Sequence, residues 1–463
     1  MSATPMVEAS TLYRPPAPVP RGPVSSLARV VARRENNLLS LLPDVAYREL
    51  VTPLGMSVRG ILLVNDPALV TKVMDTSVEL FPKNDLFVGA LEPLVGDAMF
   101  VSSGERWKHQ RRTLEPAFSH MRINRAFPAM AAAIDDACVT WDAHAADGTA
   151  FSLDKAMGHL TADIITRTLF SQPLSSGTSR EVFESFDRFE RSVENVSIRR
   201  LLLERPWARI PQPPRVLEAC TRIRQLVGEL LDPRLGADAP VLDDLASACI
   251  AARDPVTGEG FSRDELINEI GVFFLAGHET TASGLTWTLF ILSQQPQVVA
   301  RIREEVSRVA GDGPLELEHT RKLPFVRNVF REALRLYPPI TFLPRVAAED
   351  LSLGDRQVKR GTMIMIAPWS MHRHERLWEN PDRFDPDRFD REVPVGAYLP
   401  FGTGPRICIG AAFATLEATL VIARLVRRYD VVAPDPDDVW PLARLTTRPA
   451  RQISVTVRRR EAP

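Results

Sequence analysis

Cysteine is scarce in this sequence, and no cysteine lies near another. The 463 residues contain Cys138, Cys220, Cys249 and Cys408. Zinc clusters need cysteine pairs a few residues apart, and disulfide frameworks need several cysteines in a short chain. The spacing therefore excludes a zinc cluster of close cysteine pairs and argues against a disulfide framework. The first three have apolar, helix-like neighbours and are predicted to be small buried residues.

The sequence also lacks a long hydrophobic run near its start and a sizeable net charge. A membrane-spanning helix needs about 20 mostly apolar residues, whereas prolines and arginines interrupt the opening stretch. A secretory signal needs a continuous apolar segment after a basic start, and that is missing too. The formal net charge of −1 creates no overall field that would attract nucleic acid. We therefore expect a cytoplasmic protein with no membrane span and no nucleic-acid partner.

No internal repeat is apparent, and no Gly- or Ser-rich linker divides the chain. Residues 1–25 are predicted to form a Pro-rich, extended lead-in that packs little, and residues 26–463 a single domain. The pattern is then mostly helical to about residue 330, apart from a Pro-rich loop at 201–216. Strand-like runs come late, at 361–366 and 452–457. The predicted fold class is therefore mainly α with a minor β portion.

One long helix is predicted in the second half of the chain. Ser262 and Glu265 have the spacing of a capping box, which marks a helix start, and the helical pattern continues until Pro296. Such a helix would be about 50 Å long. Residues 270–277 in its middle are apolar on every face, which is typical of a helix that is buried on all sides.

A polar cluster interrupts this apolar helix at residues 278–281. Thr280 can donate a hydrogen bond to the carbonyl of Ala276, and Gly277 lowers the helix propensity at the same place. Together they could open a groove in which Glu279 serves a proton relay. Alternatively, the helix reaches the surface at His278 and displays ordinary polar residues.

A second unusual stretch surrounds Cys408. Gly402 and Gly404 permit tight turns and the close approach of a flat partner. Cys408 falls where a helix is predicted to begin, and backbone donors there stabilise a thiolate. A cysteine so placed can be an iron ligand. The alternative is a buried structural cysteine in a Gly-rich turn.

The stretch resembles the haem-binding loop of the cytochromes P450. That loop has Phe, Gly, Arg, Cys and Gly at fixed intervals, here Phe401, Gly404, Arg406, Cys408 and Gly410. Five fixed residues within ten positions rarely coincide by chance. The resemblance extends from about residue 60 to the C-terminus, and it implies the fold of that family, with the long buried helix lying over the haem.

Further motifs of the family follow in its order. Glu332 and Arg335 resemble the Glu-x-x-Arg pair of its K helix, and Arg388 resembles the arginine that completes a structural network with them. A nearby copy at 381–384 offers Arg383 for the same role, but the preceding Phe favours Arg388. Residues 276–281 are similar to the oxygen-binding segment of the family's central helix.

The resemblance also implies a set of haem contacts. Trp107 and Arg111, four residues apart on one helix face, would bind the haem propionates, and Arg345 and Arg406 would add to them. The other cofactor-binding positions that it implies are Phe401, Gly402, Gly410, Ala276 and Gly277.

The implied function is that of a haem-thiolate monooxygenase. Cys408 would be the axial ligand of the iron of haem b, Thr280 would steady dioxygen, and Glu279 would supply protons. One oxygen atom would enter the substrate, and NAD(P)H would supply electrons indirectly. No flavin or iron–sulfur module follows the cysteine loop, so we expect a separate ferredoxin or flavodoxin with its reductase. A basic face for this carrier is predicted at Lys108, Arg111, Arg112 and Arg406; simple solvated charge is the alternative for Lys108 and Arg112.

The expected substrate is a hydrophobic small molecule such as a fatty acid, alkane, terpene or aromatic compound. This expectation rests on an apolar pocket predicted at Leu94, Val95, Phe100, Phe273, Ile340, Phe342, Leu343 and Leu445, with Ala276. Ordinary core packing is an alternative for Phe100, and Arg199 and Arg200 could anchor a carboxylate. Two other functions stay open: a non-catalytic haem-thiolate sensor and a peroxygenase. The presence of both Glu279 and Thr280 favours the route that uses dioxygen.

Overall fold

The computed structural model describes residues 12–23, 25–26, 37–54, 60–75, 79–193, 212–236, 238–239, 242–444 and 446–460. Helices dominate this part of the chain, which confirms the predicted fold class. The helices before residue 255 are Pro67–Asp75 (α1), Asp85–Val95 (α2), Gly104–Leu114 (α3), His120–Arg125 (α4), Phe127–Asp147 (α5), Leu153–Phe170 (α6), Gly177–Val193 (α7), Pro214–Leu231 (α8) and Leu245–Ala251 (α9). Those that follow are Arg263–Ser293 (α10), Pro296–Ala310 (α11), Leu317–Thr320 (α12), Pro324–Leu336 (α13), Pro368–Met371 (α14) and Ala411–Arg428 (α15).

The strands are short and form small sheets. They are Val51–Leu54 (β1), Ile61–Val64 (β2), Phe151–Ser152 (β3), Leu343–Val346 (β4), Leu351–Leu353 (β5), Arg356–Val358 (β6), Met363–Ile366 (β7), Tyr429–Val432 (β8), Pro441–Ala443 (β9), Thr447–Pro449 (β10) and Ser454–Arg459 (β11). A four-stranded sheet has the order β1-β2-β7-β4, with β2 and β7 parallel. The other sheets are β3-β11-β8 and the hairpins β9-β10 and β5-β6. Strands β7 and β11 lie at the two predicted strand-like runs.

The long helix α10 runs through the middle of the fold. Its first turn carries the predicted capping box between Ser262 and Glu265. It ends at Ser293, and Pro296 then occupies the first turn of α11, so the predicted bounds are confirmed within a few residues. Gly277 lets α6 pack closely on α10, because a Cβ atom at this position would lie 2.9 Å from Cδ1 of Ile165.

A buried ion network ties α13 to the coil that follows α14. Arg335 donates to both carboxylate oxygens of Glu332 at 2.7 and 2.8 Å, and Nε of Arg388 lies 3.4 Å from the same carboxylate. Arg383 offers no side chain to this carboxylate; its backbone carbonyl accepts from Arg335, while its guanidinium binds the carbonyl of Leu12. Arg388, and not Arg383, is therefore the arginine whose side chain joins Glu332 and Arg335, as predicted from the sequence.

The Pro-rich lead-in is packed where the structure describes it. The carbonyl of Tyr13 accepts from the N–H of Phe384 at 2.8 Å, and the carbonyl of Pro16 accepts from the hydroxyl of Tyr337 at 2.5 Å. The expectation that the lead-in packs little is therefore wrong for residues 12–16, because donors of the core form hydrogen bonds with their backbone carbonyls.

The predicted loop at 201–216 ends earlier than expected, since α8 begins at Pro214; residues 201–211 lie outside the described part. Among the described residues, no helix combines the length and the apolarity that crossing a bilayer requires.

Candidate active site

A short stretch in the middle of α10 is less completely buried than the rest of the helix. Helix residues from 266 to 292 are buried, with the exception of Ala276, Gly277 and Thr280, which are partly accessible. Thr280 lies four residues after Ala276 and three residues after Gly277, and both spacings make it their neighbour on the helix surface. The hydroxyl of Thr280 donates to the carbonyl of Ala276 at 2.7 Å, as predicted from the sequence. The helix therefore does not reach the surface here, which rules out the alternative of an ordinary exposed polar stretch.

The cysteine loop precedes α15 and turns through two glycines with left-handed backbone. Gly402 has φ of 73° and Gly404 has φ of 71°, a region that side chains rarely adopt. A Cβ atom at Gly404 would collide with Asp75 and Met74, whereas one at Gly402 would meet nothing within 4 Å. Gly404 thus allows close packing on α1, while Gly402 leaves space above the loop for a flat partner.

The Cys408 thiol is accessible although protein surrounds it closely. The N–H of Cys408 donates to the carbonyl of Phe401 at 2.9 Å, and Gly410 is the N-cap of α15. Cys408 is exposed, unlike the three other cysteines, which are buried. Burial in the surrounding protein raises the pKa of this thiol, and the N–H of Gly410 and the guanidinium of Arg111 partly oppose the shift. Because Cys408 is exposed, a ligand has room to approach it.

A cluster of buried cations lies beside the loop. Arg406 stacks on the ring of Trp107 at 4.3 Å and donates to the carbonyl of Ser102, while its Nη1 is buried without a hydrogen-bond partner. Arg345 on β4 is 7% exposed, and its guanidinium donates to the carbonyl of the preceding residue. Lys83 pairs with Arg345 through an isolated β-bridge.

These cations have no carboxylate within ion-pair distance in the described part of the chain. Burial lowers the pKa of Arg345 to about 10. Burial and the repulsion from Arg345 together lower the pKa of Arg406 to about 9. The pKa of Lys83 falls well below its ordinary value, through burial and then the charges of Arg406 and Arg345. Buried like charges require an anionic partner, and the two propionates of a haem would provide one. The residues present therefore fit that group.

Lys83 is the member of this cluster that sequence reasoning missed. It follows Phe81 and Pro82 in a stretch without a recognisable motif. Its role is indicated only by its burial beside Arg345 and Arg406. The burial of a single lysine cannot be predicted from composition or periodicity.

Two predicted basic residues lie elsewhere. Arg111 donates to the carbonyl of Ile407 at 2.9 Å and does not join the buried cations. Arg112 binds the buried carboxylate of Asp254 at 2.9 Å. The guanidinium of Arg406 points inward, where it stacks on the Trp107 ring and donates to the Ser102 carbonyl. The prediction that Arg406 belongs to a surface docking face is therefore wrong.

Glu279 directly precedes Thr280 on α10, and its side chain is held by residues of the hairpin β9-β10 and its loop. Its Oε1 accepts from Nε of Arg448 at 2.5 Å and from the hydroxyl of Thr446, and its Oε2 contacts Nη2 of Arg448. Burial raises the pKa of Glu279, but Arg448, together with His278 and the Thr446 hydroxyl, outweighs burial and leaves this pKa below its ordinary value. Thr446 and Arg448 carry no sequence signal of this role, since the contact joins residues 169 positions apart.

The predicted substrate pocket is only partly accessible. Leu94 and Val95 are 1% and 0% exposed, so both pack in the core and face no cavity. Phe273 packs edge to face on Phe118, with ring centroids 4.9 Å apart. The partly buried members, which retain surface for a ligand, are Phe100, Ile340, Phe342 and Leu343. Leu445, Arg199 and Arg200 lie outside the described residues.

The comparison with known proteins decides the family. A family model described as Cytochrome P450 matches residues 44–457. The chain belongs to the cytochrome P450 family. The haem domain of cytochrome P450DA has the same fold, with a TM-score of 0.80, 25% identity, and coverage of 97% of this chain and 98% of that one.

Two P450 relatives come from Streptomyces melanosporofaciens. Cyclooctatin synthase is 30% identical, and the match covers 94% of this chain and 92% of that protein. Cyclooctat-9-en-7-ol 5-monooxygenase is 33% identical, and the match covers 88% of each. The chain is accordingly an oxidoreductase of the monooxygenase class, and membership of the P450 family implies haem, dioxygen, a hydrophobic substrate and a redox partner.

Proposed function

We propose that this P450 binds haem b through the thiolate of Cys408 and inserts one atom of dioxygen into a hydrophobic small molecule. The second oxygen atom leaves as water, and the electrons come from NAD(P)H. The observation that carries this proposal is the accessible Cys408 thiol two residues from Arg406, within the group of buried cations that lack a carboxylate. A thiolate suits the iron, and the cations suit the propionates.

Haem, when bound through a thiolate, supplies oxygen activation with easier cleavage of the oxygen–oxygen bond. The chain would hold it at both ends. The turn from Phe401 to Gly410 would present the sulfur and leave space above Gly402, while Lys83, Arg345 and Arg406 would neutralise the propionates. Trp107 keeps Arg406 in place by stacking.

Thr280 and Glu279 are adjacent on α10 and would supply protons together. Thr280 presents its hydroxyl beside Ala276 and Gly277 on the accessible face. Glu279 is the nearest carboxylate in the sequence, and its ion pair with Arg448 keeps it charged. A carboxylate next to a hydroxyl can pass protons to the active site.

The substrate class follows from the partly accessible apolar residues. Phe100, Ile340, Phe342 and Leu343 offer aromatic and aliphatic surface, which suits a fatty acid, an alkane, a terpene or an aromatic compound. The name of the relative cyclooctat-9-en-7-ol 5-monooxygenase, a ring alcohol oxygenase, supports a largely hydrocarbon substrate.

We infer that a ferredoxin or flavodoxin with its reductase delivers the electrons in the cytoplasm. The side chain of Ile407, next to Cys408, is 44% exposed. Lys108 and Arg112 lie on α3 and are also partly exposed, although each already pairs with an acid. An acidic carrier could dock on this face with a short path to Cys408.

The test compares two cysteine variants of the haem-loaded protein. Cys408→Ala should lose the thiolate-type absorption of the reduced, carbon-monoxide-bound state, because its sulfur is the ligand. Cys138→Ala is the matched control: this cysteine is buried in the core, and its variant should keep the absorption. Retention of the thiolate spectrum by Cys408→Ala would contradict the proposal.

A further inference from the structure

Four aromatic side chains form a continuous row from α10 toward the surface. The indole ring of Trp287 on α10 stacks on the phenol ring of Tyr337, with ring centroids 4.0 Å apart and an angle of 4° between the two planes. The Tyr337 ring meets the ring of Trp369 on α14 edge to face, with centroids 6.0 Å apart. The indole N–H of Trp369 then donates to the hydroxyl of Tyr47 at 3.1 Å. Each neighbouring pair in this aromatic row, Trp287, Tyr337, Trp369 and Tyr47, is therefore in direct contact.

The aromatic row begins deep in the fold and ends near solvent. Trp287 and Tyr337 are 0% exposed and Trp369 is 1% exposed, whereas Tyr47 is partly exposed. Trp287 lies seven residues after Thr280 on α10, so the two residues share one side of the helix and are about 10 Å apart along its axis. The row therefore connects the active-site stretch of the long helix with the molecular surface.

The two tyrosines of the row differ in what can accept their phenol proton. Tryptophan and tyrosine are the aromatic side chains that lose an electron most readily, and an oxidised tyrosine also releases its phenol proton. The Tyr337 hydroxyl donates to the carbonyl of Pro16, a group that cannot hold a proton, and burial raises the pKa of Tyr337 well above its ordinary value. Tyr47 is partly exposed, so water can take its proton. An oxidising equivalent that enters the row therefore comes to rest on Tyr47.

A buried guanidinium discourages the oxidising equivalent from staying on Trp369. Arg373 is 3% exposed, and its guanidinium carbon lies 3.8 Å from the centre of the Trp369 ring and 5.8 Å from that of Tyr337. A positive charge at this distance disfavours a second positive charge on the indole. A tyrosine that has lost both an electron and a proton is neutral and pays no such penalty. The charge of Arg373 therefore favours the passage of the oxidising equivalent from Trp369 to Tyr47.

We propose that the aromatic row returns an electron from the protein surface to the haem group when peroxide oxidises that group in the absence of substrate. This inference rests on the proposed function, because it requires bound haem. The electron leaves the phenol of Tyr47 and passes through Trp369, Tyr337 and Trp287. The phenol proton goes to water at the same time, so Tyr47 is left as a neutral radical.

A low-molecular-weight thiol restores Tyr47 by giving it one hydrogen atom. Two passages through the row convert two thiols into one disulfide. They also supply the two electrons that reduce one hydrogen peroxide to two waters, and the two protons released at Tyr47 balance the two taken up in that reduction. The row would thus protect the haem group by consuming peroxide at the expense of thiol.

The first test is electron paramagnetic resonance of the substrate-free, haem-loaded protein, frozen shortly after mixing with hydrogen peroxide. The unchanged protein should show a tyrosyl radical, and Tyr47→Phe should lose it, because phenylalanine has no phenol proton to release. Tyr13→Phe is the matched control. Tyr13 lies close enough to Tyr337 to influence its pKa, but the Tyr13 hydroxyl is buried and has no hydrogen-bond partner among the described residues. This control should keep the radical.

The second test follows the bleaching of the haem absorption by hydrogen peroxide, with and without glutathione. Glutathione should slow the bleaching of the unchanged protein. Trp369→Phe removes the indole that links Tyr337 to Tyr47, so this protection should be lost. Trp141→Phe should keep the protection, since Trp141 is similarly buried but contacts Phe151 and Tyr429 instead. The direct reaction of glutathione with peroxide is the same for every variant and cancels in the comparison.

The inference is overturned if Tyr47→Phe keeps the tyrosyl signal, if Tyr13→Phe loses it, or if the unchanged protein forms no radical. Equal protection of Trp369→Phe and Trp141→Phe by glutathione would also overturn it. Each variant is first checked by the thiolate-type absorption of its reduced, carbon-monoxide-bound state, which shows that it folds and binds haem. A failure of the proposed function would appear in that absorption of the unchanged protein, before any peroxide is added.

Discussion

Replacing Arg335 by Met should be the most damaging of three arginine substitutions that the structure distinguishes. Arg335 is 0% exposed and donates to both oxygens of Glu332. It also donates to the carbonyls of His372 and Pro381 at 2.6 Å and of Arg383 at 2.9 Å. Met fills a similar volume but leaves the Glu332 carboxylate and three carbonyls short of donors.

The magnitude follows from what stays buried. Removing one partner of a buried ion pair costs about 3–5 kcal/mol, and a buried acceptor without a donor costs a further 1–3 kcal/mol or so. A folded domain is stable by only about 5–15 kcal/mol, so Arg335→Met should be close to unfolding at ambient temperature. Arg388→Met should cost less, because Arg388 lies 3.4 Å from Glu332 and leaves the Arg335 contact intact.

Arg376→Met is the control. Arg376 pairs with Glu49 at 3.3 Å with more than half of each side chain exposed, and such surface pairs contribute about 0–1 kcal/mol. The assay is the urea midpoint of the haem-loaded variants, followed by circular dichroism. The expected order of destabilisation is Arg335, Arg388, Arg376. Equal midpoints for Arg335→Met and Arg376→Met would refute the view that the network locks α13 in place.

Two further predictions concern buried groups that the sequence does not single out. Lys83→Met should speed haem loss to an acceptor such as apomyoglobin by about tenfold, the equivalent of 1.4 kcal/mol, whereas Lys108→Met on the surface should not; equal rates would remove Lys83 from the propionate site. Burial raises the pKa of Glu269 to about 8, so the folded chain keeps a proton that the unfolded chain loses above its ordinary pKa, and stability falls as pH rises toward 8. The gain in melting temperature from Glu269→Gln, which can still accept from the Met99 N–H, should therefore be larger near pH 8.5 than near pH 5; a gain that does not change with pH would contradict this reasoning.

The sequence predicted the parts of the fold that depend on local rules. Ser262, Glu265 and Pro296 delimit α10 through capping and the missing proline N–H, both of which act within a few residues. The back-bond of Thr280 to Ala276 is equally local. Helices and the two late strands follow from the period of apolar residues, which reports burial of one face or of all faces.

The rest depends on contacts between distant positions. The partner of Glu279 comes from a hairpin strand, and Lys83 becomes part of a cation cluster only when β4 and the cysteine loop come beside it. The inward turn of Arg406 follows from the indole of Trp107, about 300 positions earlier in the chain. The resemblance to P450 enzymes supplied the roles of Cys408 and Arg388, whereas periodicity alone would have left both as ordinary residues.

The carbonyls of the lead-in have a consequence for the order in which the molecule assembles. Tyr337 and Arg383 reach back across 321 and 371 positions to bind Pro16 and Leu12. On the ribosome, residues 12–16 are made long before these partners, because Tyr337 and Arg383 follow more than 300 positions later. Residues 12–16 therefore leave the ribosome well before the residues that they contact, and they can dock only late in the assembly of the fold.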